Sequence, residues 1–400
     1  MPEAVIVATA RTPIGRMGKG SLKDMRPDDL SAHIIRAVLA KVPALDPTEI
    51  EDVLWGCGQP GGESGHNIAR VSAILAGLDS VPGATVNRYC SSSLMTIRMA
   101  AHAIKAGDGD VFLAGGVETA SRFPNGMADG PKNPVFADAG ARSAKRAEGG
   151  APTWKPAEGL PDVYLAMGQT AENVAQFENV GRQEQDEFGV RSQNLAEQSL
   201  DNGFWEAEIT PVTTPDGTEV TRDDGIRAGT TLEKVSQLKP AFRPDGTVTA
   251  GNACPLNDGA AAVVVMSDTK ASALGLTPLA RVVSSAATGL NPEIMGMGPV
   301  EASRKALDRA GMTISDIDLV EINEAFAAQV LPSAKHLGID IDKLNTRGGS
   351  IALGHPFGMT GARIMTTLIH NLQESDATFG LETMCVGGGQ GMAMVVERLS

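Results

Sequence analysis

The stretch RAVLAKVPALDPTEIEDVLWG, residues 36–56, decides the fold because a similar stretch recurs late in the chain. Residues 304–323, RKALDRAGMTISDIDLVEIN, repeat its order of a helical pattern, a turn and a short apolar run. Aligning Asp52 with Asp318 requires a shift of 266 residues, and self-similarity at a fixed offset indicates an internal duplication. The alternative to a duplication is that the two stretches are alike only because any two βαβ units have similar sequence patterns.

Short apolar runs alternate with helical patterns through both ends of the chain. Helices are predicted near 29–41, 66–77, 91–106, 299–310, 324–337 and 360–373, and strands are predicted between them. This alternation is typical of α/β proteins and predicts βαβ units with a largely parallel sheet.

The middle of the chain is less regular. Residues 131–162 are rich in Pro, Gly and charge and predict an extended loop, which at this length is usually a lid or binding element. The run LNDGAAAVVVMS, 256–267, predicts a strand that returns to the first half. The predicted division is therefore a first half over 1–119 and 257–276, a loop domain over 120–256 and a second half over 277–400.

The composition excludes several classes of protein. The chain has 400 residues, 42% hydrophobic and 20% charged, which is typical of a globular protein with two sizeable cores. Its net charge of −14 argues against general nucleic-acid binding, which requires a basic surface. The N-terminus lacks signal-peptide features, and no apolar run is long enough to span a membrane.

The four cysteines, Cys57, Cys90, Cys254 and Cys385, lie far apart and form no CxxC pair. That spacing disfavours both a zinc site and a disulfide framework. A reduced, cytoplasmic setting is expected, without a bound metal.

The segment VNRYCSSSL, residues 86–94, places Cys90 between a predicted strand and a predicted helix. A thiol at a helix N-terminus is close to unpaired N–H groups, which stabilise a thiolate. We therefore expect a reactive Cys90. A buried, inert cysteine is the alternative when the residue is considered alone.

The segment RGGSIALGHPFGMTGAR, residues 347–363, surrounds His355 with glycines that allow close approach of backbones. An imidazole is suited to accept a proton from a thiol. In the alignment of the two halves, which are offset by 266 residues, position 90 corresponds to position 356, next to His355. This coincidence favours a catalytic histidine over an ordinary loop histidine.

Two further segments carry polar groups at the ends of predicted strands. In TMCVGGGQGMAM, residues 383–394, Cys385 precedes a glycine turn whose N–H groups, including that of Gly387, could stabilise an oxyanion. In EINEAFAAQ, residues 321–329, Asn323 lies where a strand gives way to a helix. A core position for Cys385 and an N-cap role for Asn323 are the alternatives.

Taken together, these segments resemble the thiolase family over nearly the whole chain. The motifs VATARTPIG, NRYCSSS, AGNACPLNDGAAAVVV, NEAFA, GGSIALGHPFGMTGAR and CVGGGQG occur in the family's order. The resemblance implies a five-layered αβαβα fold, in which two duplicated α/β halves carry an inserted loop domain. It also implies a homodimer or homotetramer.

The resemblance further implies a reaction, the thiolysis of a 3-ketoacyl-CoA by CoA to acetyl-CoA and a shortened acyl-CoA, or its reversal. Cys90 would be the acyl-accepting nucleophile and His355 the acceptor of its proton. Cys385 would protonate the acetyl-CoA enolate and then deprotonate CoA. One oxyanion site would combine His355 with a water held by Asn323, and the other would use the N–H groups of Cys90 and Gly387. No metal or permanent cofactor is implied, since CoA and acyl-CoA are substrates.

CoA binding in the family falls largely to the inserted region. The corresponding positions here are Met167, Arg227, Lys234, Leu238, Phe242, Ala250, Cys254, Ala325 and Phe326. Arg227, Lys234, Lys239 and Arg243 form a basic cluster in an acidic chain, as CoA phosphates require. For Lys239 and Arg243 a solvated charged face is an equal alternative.

Some positions depart from biosynthetic acetoacetyl-CoA thiolases. Ala166 replaces a histidine before the Met-Gly pair, Cys254-Pro255 replaces Ser-Gly, Lys234 replaces a serine and Arg347 an asparagine. The missing histidine favours a degradative 3-ketoacyl-CoA thiolase, although CVGGGQG resembles biosynthetic members. The alternatives are a biosynthetic thiolase, a decarboxylating or HMG-type condensing enzyme, which would lack Cys385, and a non-catalytic acyl-CoA-binding relative.

Overall fold

The computed structural model describes residues 2–400. Its strands are β1 (Ala4–Arg11), β2 (Gly15–Arg16), β3 (Asp52–Gly56), β4 (Gly83–Val86), β5 (Val111–Thr119), β6 (Val212–Thr213), β7 (Glu219–Val220), β8 (Asn257–Ser267), β9 (Ala280–Gly289), β10 (Leu319–Ile322), β11 (Phe379–Val386) and β12 (Gln390–Arg398). Its helices are α1 (Pro27–Ala40), α2 (Ile68–Leu75), α3 (Ser92–Ala106), α4 (Ala137–Ala147), α5 (Met167–Phe177), α6 (Arg182–Asp201), α7 (Phe204–Glu208), α8 (Leu232–Ser236), α9 (Asp268–Ala273), α10 (Gly298–Ala310), α11 (Ala327–Leu337), α12 (Ser350–Leu353) and α13 (Thr360–Glu374).

The internal duplication predicted from the sequence is visible in the strand order. The strands run β10-β11-β12-β9-β1-β8-β5-β3-β4, with β2 paired to β8. From the centre outward, the first half follows β1-β8-β5-β3 and the second half follows β9-β12-β11-β10. The halves join where Val5 and Ile6 of β1 pair with Arg281 and Ala280 of β9.

Helices form three layers around the two halves of this sheet. Helices α3 and α13 lie in the middle, and their apolar faces share one core with strands of both halves. Helices α1 and α2 cover the outer face of the first half, while α10 and α11 cover that of the second. The predicted αβαβα arrangement follows from these three cores. It places the starts of α3 and α13 side by side.

Glycine allows the two central helices to touch at their starts. A Cβ atom on Gly361, near the beginning of α13, would lie 2.3 Å from the backbone nitrogen of Leu94 in α3. The backbone N–H of Ala362 donates to Ser93 Oγ across the same contact at 2.9 Å. The segments that contain Cys90 and His355 are therefore held against each other by their helices.

The expectation of a largely parallel sheet is wrong, because the sheet is mixed. Strand β3 runs parallel to β4 and β5, and β10 runs parallel to β11. Strand β8 is antiparallel to both β1 and β5, and β12 is antiparallel to β11 and β9. A tight turn joins β11 to β12, and such a turn can join only antiparallel strands.

The expected extended loop over 131–162 contains a helix. Helix α4 forms because its sequence, ADAGARSAKRA, is rich in alanine. Asp138 in its first turn and Lys145 and Arg146 in its last turn complement the helix dipole. Gly140 and the charged residues make this helix difficult to recognise from the sequence pattern.

The predicted domain boundaries stay a prediction.

Candidate active site

Cys90 lies in a single helical turn, Tyr89–Ser91, between β4 and α3. Its side chain is buried, and burial raises the pKa of the thiol to about 11, although N–H groups of Gly387 and of Cys90 itself donate to the sulfur and lower it. The sequence predicts a stabilised thiolate, whereas the structure holds a protonated thiol. Desolvation outweighs the two N–H groups.

The turn after β11 reaches over this sulfur. Gly387 donates its N–H to Cys90, and Gly388 and Gly389 adopt positive φ angles of 74° and 79° that complete the turn. Cys385, at the end of β11, is fully buried. Burial, followed by the charges of Cys90 and Cys254, raises the pKa of its thiol well above the ordinary value. Three cysteines therefore lie within electrostatic reach of one another.

His355 lies in the buried segment between α12 and α13. Its Nδ1 lies 2.7 Å from Thr360 Oγ1, its Nε2 lies 3.2 Å from Asn323 Nδ2, and its backbone N–H donates to Asn257. Burial, followed by the positive charge of Arg363, lowers the pKa of the imidazole to about 3. The ring is therefore neutral and able to accept a proton. No hydrogen bond within residues 2–400 joins it to Cys90.

Asn323 is not a helix cap. Helix α11 begins at Ala327, with Phe326 as its N-cap. The Asn323 side chain is buried, and it contacts Ser350 Oγ at 2.6 Å through Oδ1 while its Nδ2 faces His355. The N-cap alternative is therefore excluded. The amide instead lies against the imidazole, where it can interact with a bound carbonyl.

A partly exposed apolar wall adjoins the cysteines. Phe242 and Phe326 meet edge to face with ring centroids 6.1 Å apart, and Cys254 donates its N–H to the carbonyl of Ala325. Met167, at the start of α5, packs with Ala325, Phe326, Cys254 and Cys385 in one small cluster. Five of the predicted CoA-binding residues are thus brought together.

The remaining predicted CoA-binding residues lie on or near the same inserted region. Leu238 is partly exposed, and its side chain lies beside Gly251. Ala250, which precedes Gly251 in the chain, is exposed. Lys234 is exposed, and its Nζ donates to the carbonyl of Gly229. Arg227 is exposed, and its backbone N–H donates to Gln193.

Arg243 does not form an open phosphate site with its basic neighbours. Its guanidinium is buried and donates to Gln169 and Asn173 of α5. Arg347 is likewise occupied, since it donates to Asn371 and Glu374. Among the described residues, no cluster of His, Cys, Asp and Glu side chains could hold a metal ion.

One buried group at the site was missed in the sequence. Glu118, near the end of β5, accepts backbone N–H groups from Gly58, Gln59 and Gly358, and so fastens the His355 segment to the first half. Burial raises the pKa of its carboxyl to about 7 despite these donors. A lone acidic residue in the apolar run VFLAGGVET is the signal that could have revealed it.

Comparison with known proteins decides the family. The model for the N-terminal domain of thiolases matches residues 4–269, and that for the C-terminal domain matches residues 276–398. The chain belongs to the thiolase family. Thiolases are acyltransferases, so the predicted family, fold and enzyme class are confirmed.

Several relatives resemble this thiolase over their whole length. A 3-ketoacyl-CoA thiolase of Aeromonas salmonicida (strain A449) is 47% identical over 408 residues, with 100% of both chains covered. A 3-oxoadipyl-CoA/3-oxo-5,6-dehydrosuberyl-CoA thiolase of Escherichia coli (strain K12) is 44% identical over 411 residues, again with 100% of both covered. The crystal structure of the Bacillus anthracis acetyl-CoA acetyltransferase superposes with a TM-score of 0.85 at 39% identity, covering 100% of this chain and 99% of that one.

Proposed function

We propose that this thiolase is a degradative 3-ketoacyl-CoA thiolase, which cleaves a 3-ketoacyl-CoA with CoA through an acyl-Cys90 intermediate. The observation that carries the proposal is the convergence of Cys90, Cys385 and the Gly387 N–H at one buried point. The apolar wall that contains Phe242 and Phe326 adjoins this point and is suited to a pantetheine arm. The 3-ketoacyl-CoA thiolase of Aeromonas salmonicida supports the substrate class.

In the first half of the reaction, His355 takes the thiol proton as the Cys90 sulfur attacks the keto carbon. Because the thiol is protonated and the imidazole neutral at rest, proton transfer and attack proceed together. The N–H groups of Cys90 and Gly387 stabilise the tetrahedral oxyanion. The C–C bond then breaks, leaving the acyl group on Cys90 and an acetyl-CoA enolate, which His355 and Asn323 stabilise.

Cys385 protonates that enolate at carbon. Its raised pKa keeps the thiol protonated until a strong base forms, and it makes the resulting thiolate a strong base in turn. In the second half, this thiolate takes the proton of the incoming CoA thiol. The CoA sulfur attacks the Cys90 thioester, and the shortened acyl-CoA leaves as Cys90 recovers its proton from His355.

The finer properties of this enzyme belong to the same proposal. We place it in the cytoplasm, in fatty acid β-oxidation, as a homodimer or homotetramer without a permanent cofactor. Within residues 2–400, no helix has the length and apolar character needed to cross a membrane. The proposed division remains 1–119 with 257–276, 120–256 and 277–400. The last two segments of this division contain the apolar wall, with Met167 and Phe242 in the insertion and Phe326 in the second half.

A thiolysis assay tests the substrate class. The purified enzyme is given CoA and 3-ketoacyl-CoAs of increasing chain length, with acetoacetyl-CoA and 3-oxoadipyl-CoA as separate arms. The proposal predicts turnover of 3-ketoacyl-CoAs longer than acetoacetyl-CoA, and no turnover by a Cys90→Ser variant beyond background. Activity confined to acetoacetyl-CoA would instead identify a biosynthetic thiolase, and activity confined to 3-oxoadipyl-CoA a dicarboxylate-specific enzyme.

A further inference from the structure

A chain of buried hydrogen bonds reaches His355 from α13. Arg363 Nη2 lies 2.9 Å from Ser350 Oγ, and Ser350 Oγ lies 2.6 Å from Asn323 Oδ1. Asn323 Nδ2 then lies 3.2 Å from His355 Nε2. All four side chains are almost fully buried, so water does not compete freely for these groups.

The chain continues on the far side of the imidazole. His355 Nδ1 lies 2.7 Å from Thr360 Oγ1, and that hydroxyl lies 2.8 Å from the carbonyl oxygen of Pro356. If the Thr360 proton is directed to this carbonyl, Oγ1 can only accept from Nδ1. The imidazole proton then lies on Nδ1, and Nε2 keeps its lone pair.

The hydrogen bonds along such a chain can all donate towards His355 or all donate away from it, and Arg363 determines which of the two directions is adopted. A guanidinium only donates, so Ser350 Oγ must accept from Arg363. With Asn323 Oδ1 towards Ser350, the serine proton has an acceptor. With the amide reversed, both neighbours donate to Ser350, and its own proton has no acceptor among the residues described. An unpaired buried donor is unfavourable.

We propose that Arg363, Ser350 and Thr360 are positioning residues that fix the His355 proton on Nδ1 and leave Nε2 as the base. The proposal rests on the proposed function, in which His355 takes the Cys90 proton. It explains why a neutral imidazole is ready to act: the lone pair is held on the nitrogen that faces Asn323, the other member of the enolate site. The tautomer is therefore set before substrate binds.

Ser350 is the best position for a test. Arg363 faces the buried carboxyls of Glu321 and Glu382, so its replacement would leave those groups without their cation. Ser350→Ala removes one hydroxyl only. Ser303→Ala is a matched control, because Ser303 is also fully buried and its hydroxyl makes no hydrogen bond.

The experiment combines kinetics with ¹⁵N NMR of histidine-labelled full-length enzyme, the His355 signals being assigned by their loss in His355→Gln. We expect the proton on Nδ1 in the unchanged enzyme. Ser350→Ala and Thr360→Val should shift population to the Nε2–H tautomer and lower kcat about 10²-fold, with little change in KM. Thr360→Ser, which keeps the hydroxyl, and Ser303→Ala should retain both tautomer and kcat.

A proton on Nε2 in the unchanged enzyme would overturn the proposal, even if the variants failed to fold. So would a folded Ser350→Ala variant with an unchanged tautomer and unchanged kcat. The NMR signal does not depend on turnover. Absence of thiolysis in the unchanged enzyme would therefore count against the proposed function, and the tautomer would still be measured.

Discussion

Nδ2 of Asn323 lies 3.2 Å from Nε2 of His355, although Asn323 lies between β10 and α11 and His355 lies between α12 and α13. The contact places a donor against the nitrogen that we assign as the base. It therefore favours a neutral imidazole.

Replacing Cys385 should slow turnover strongly. We expect Cys385→Ala to lower kcat for thiolysis about 10²-fold to 10⁴-fold, because it removes the thiol that we assign to protonate the enolate and to deprotonate CoA. Cys57→Ala is the matched control, since Cys57 is also fully buried and its thiol pKa is also raised well above the ordinary value. If Cys385→Ala kept the steady-state rate of Cys57→Ala and of the unchanged enzyme, Cys385 would have no part in the mechanism.

Alkylation of Cys90 should depend steeply on pH. With the thiol pKa raised to about 11 by burial, the reactive thiolate fraction grows about tenfold for each pH unit below that value. Iodoacetamide labelling of the Cys90 peptide, followed by mass spectrometry, should therefore accelerate steadily from about pH 7 to pH 9. A rate that levels off near neutral pH would indicate a stabilised thiolate, as the sequence alone suggests.

The apolar wall should contribute to CoA affinity. Phe242→Ala removes an aromatic side chain beside Phe326, and the loss of about 1–2 kcal/mol of apolar contact predicts an increase in the KM for CoA of about tenfold. Phe177→Ala is a matched control, because Phe177 is similarly exposed and also makes one edge-to-face contact, with Trp154. An unchanged KM for CoA in Phe242→Ala would indicate that CoA does not bind against the apolar wall.

Stability should fall as pH rises, partly through Glu321. Burial raises the pKa of this carboxyl from 4.5 to about 8. The contribution of protonated Glu321 to the free energy of unfolding is therefore fully present below pH 4.5 and is lost as pH rises through about 8. Urea unfolding across this window should show a shallower decline for Glu321→Gln than for the unchanged enzyme. Equal slopes would contradict the assignment, and exposed Glu219→Gln provides the control.

Much of the fold could be predicted because periodic apolar residues fix helices and strands locally. The helix predicted near 91–106 is α3, and its apolar residues at helical spacing, Leu94, Ile97, Ala101 and Ile104, are buried in the central core. Strand direction could not be predicted, because it depends on how the chain returns through β8 and β12. Helix α4 was missed because glycine and charge obscure its alanine-rich pattern.

The site was only partly accessible from sequence. His355 and Cys385 stand out through their glycine-rich surroundings, and Cys90 stands out through its place between a predicted strand and a predicted helix. The pKa of Cys90, however, depends on burial that only tertiary structure provides. Glu118 accepts from Gly358, 240 residues away, and no local pattern reports such a bond. The link between Arg363 and Ser350 is also hidden, because it spans 13 residues across an irregular segment and forms only in the folded chain.

Mass spectrometry of the acylated enzyme tests the central claim most directly. The enzyme is mixed with a 3-ketoacyl-CoA in the absence of free CoA, quenched in acid and digested. We predict that the peptide containing Cys90 gains the mass of the shortened acyl group and loses it when CoA is added before the quench. An unmodified Cys90 peptide, or acylation confined to Cys254 or Cys385, would contradict the account.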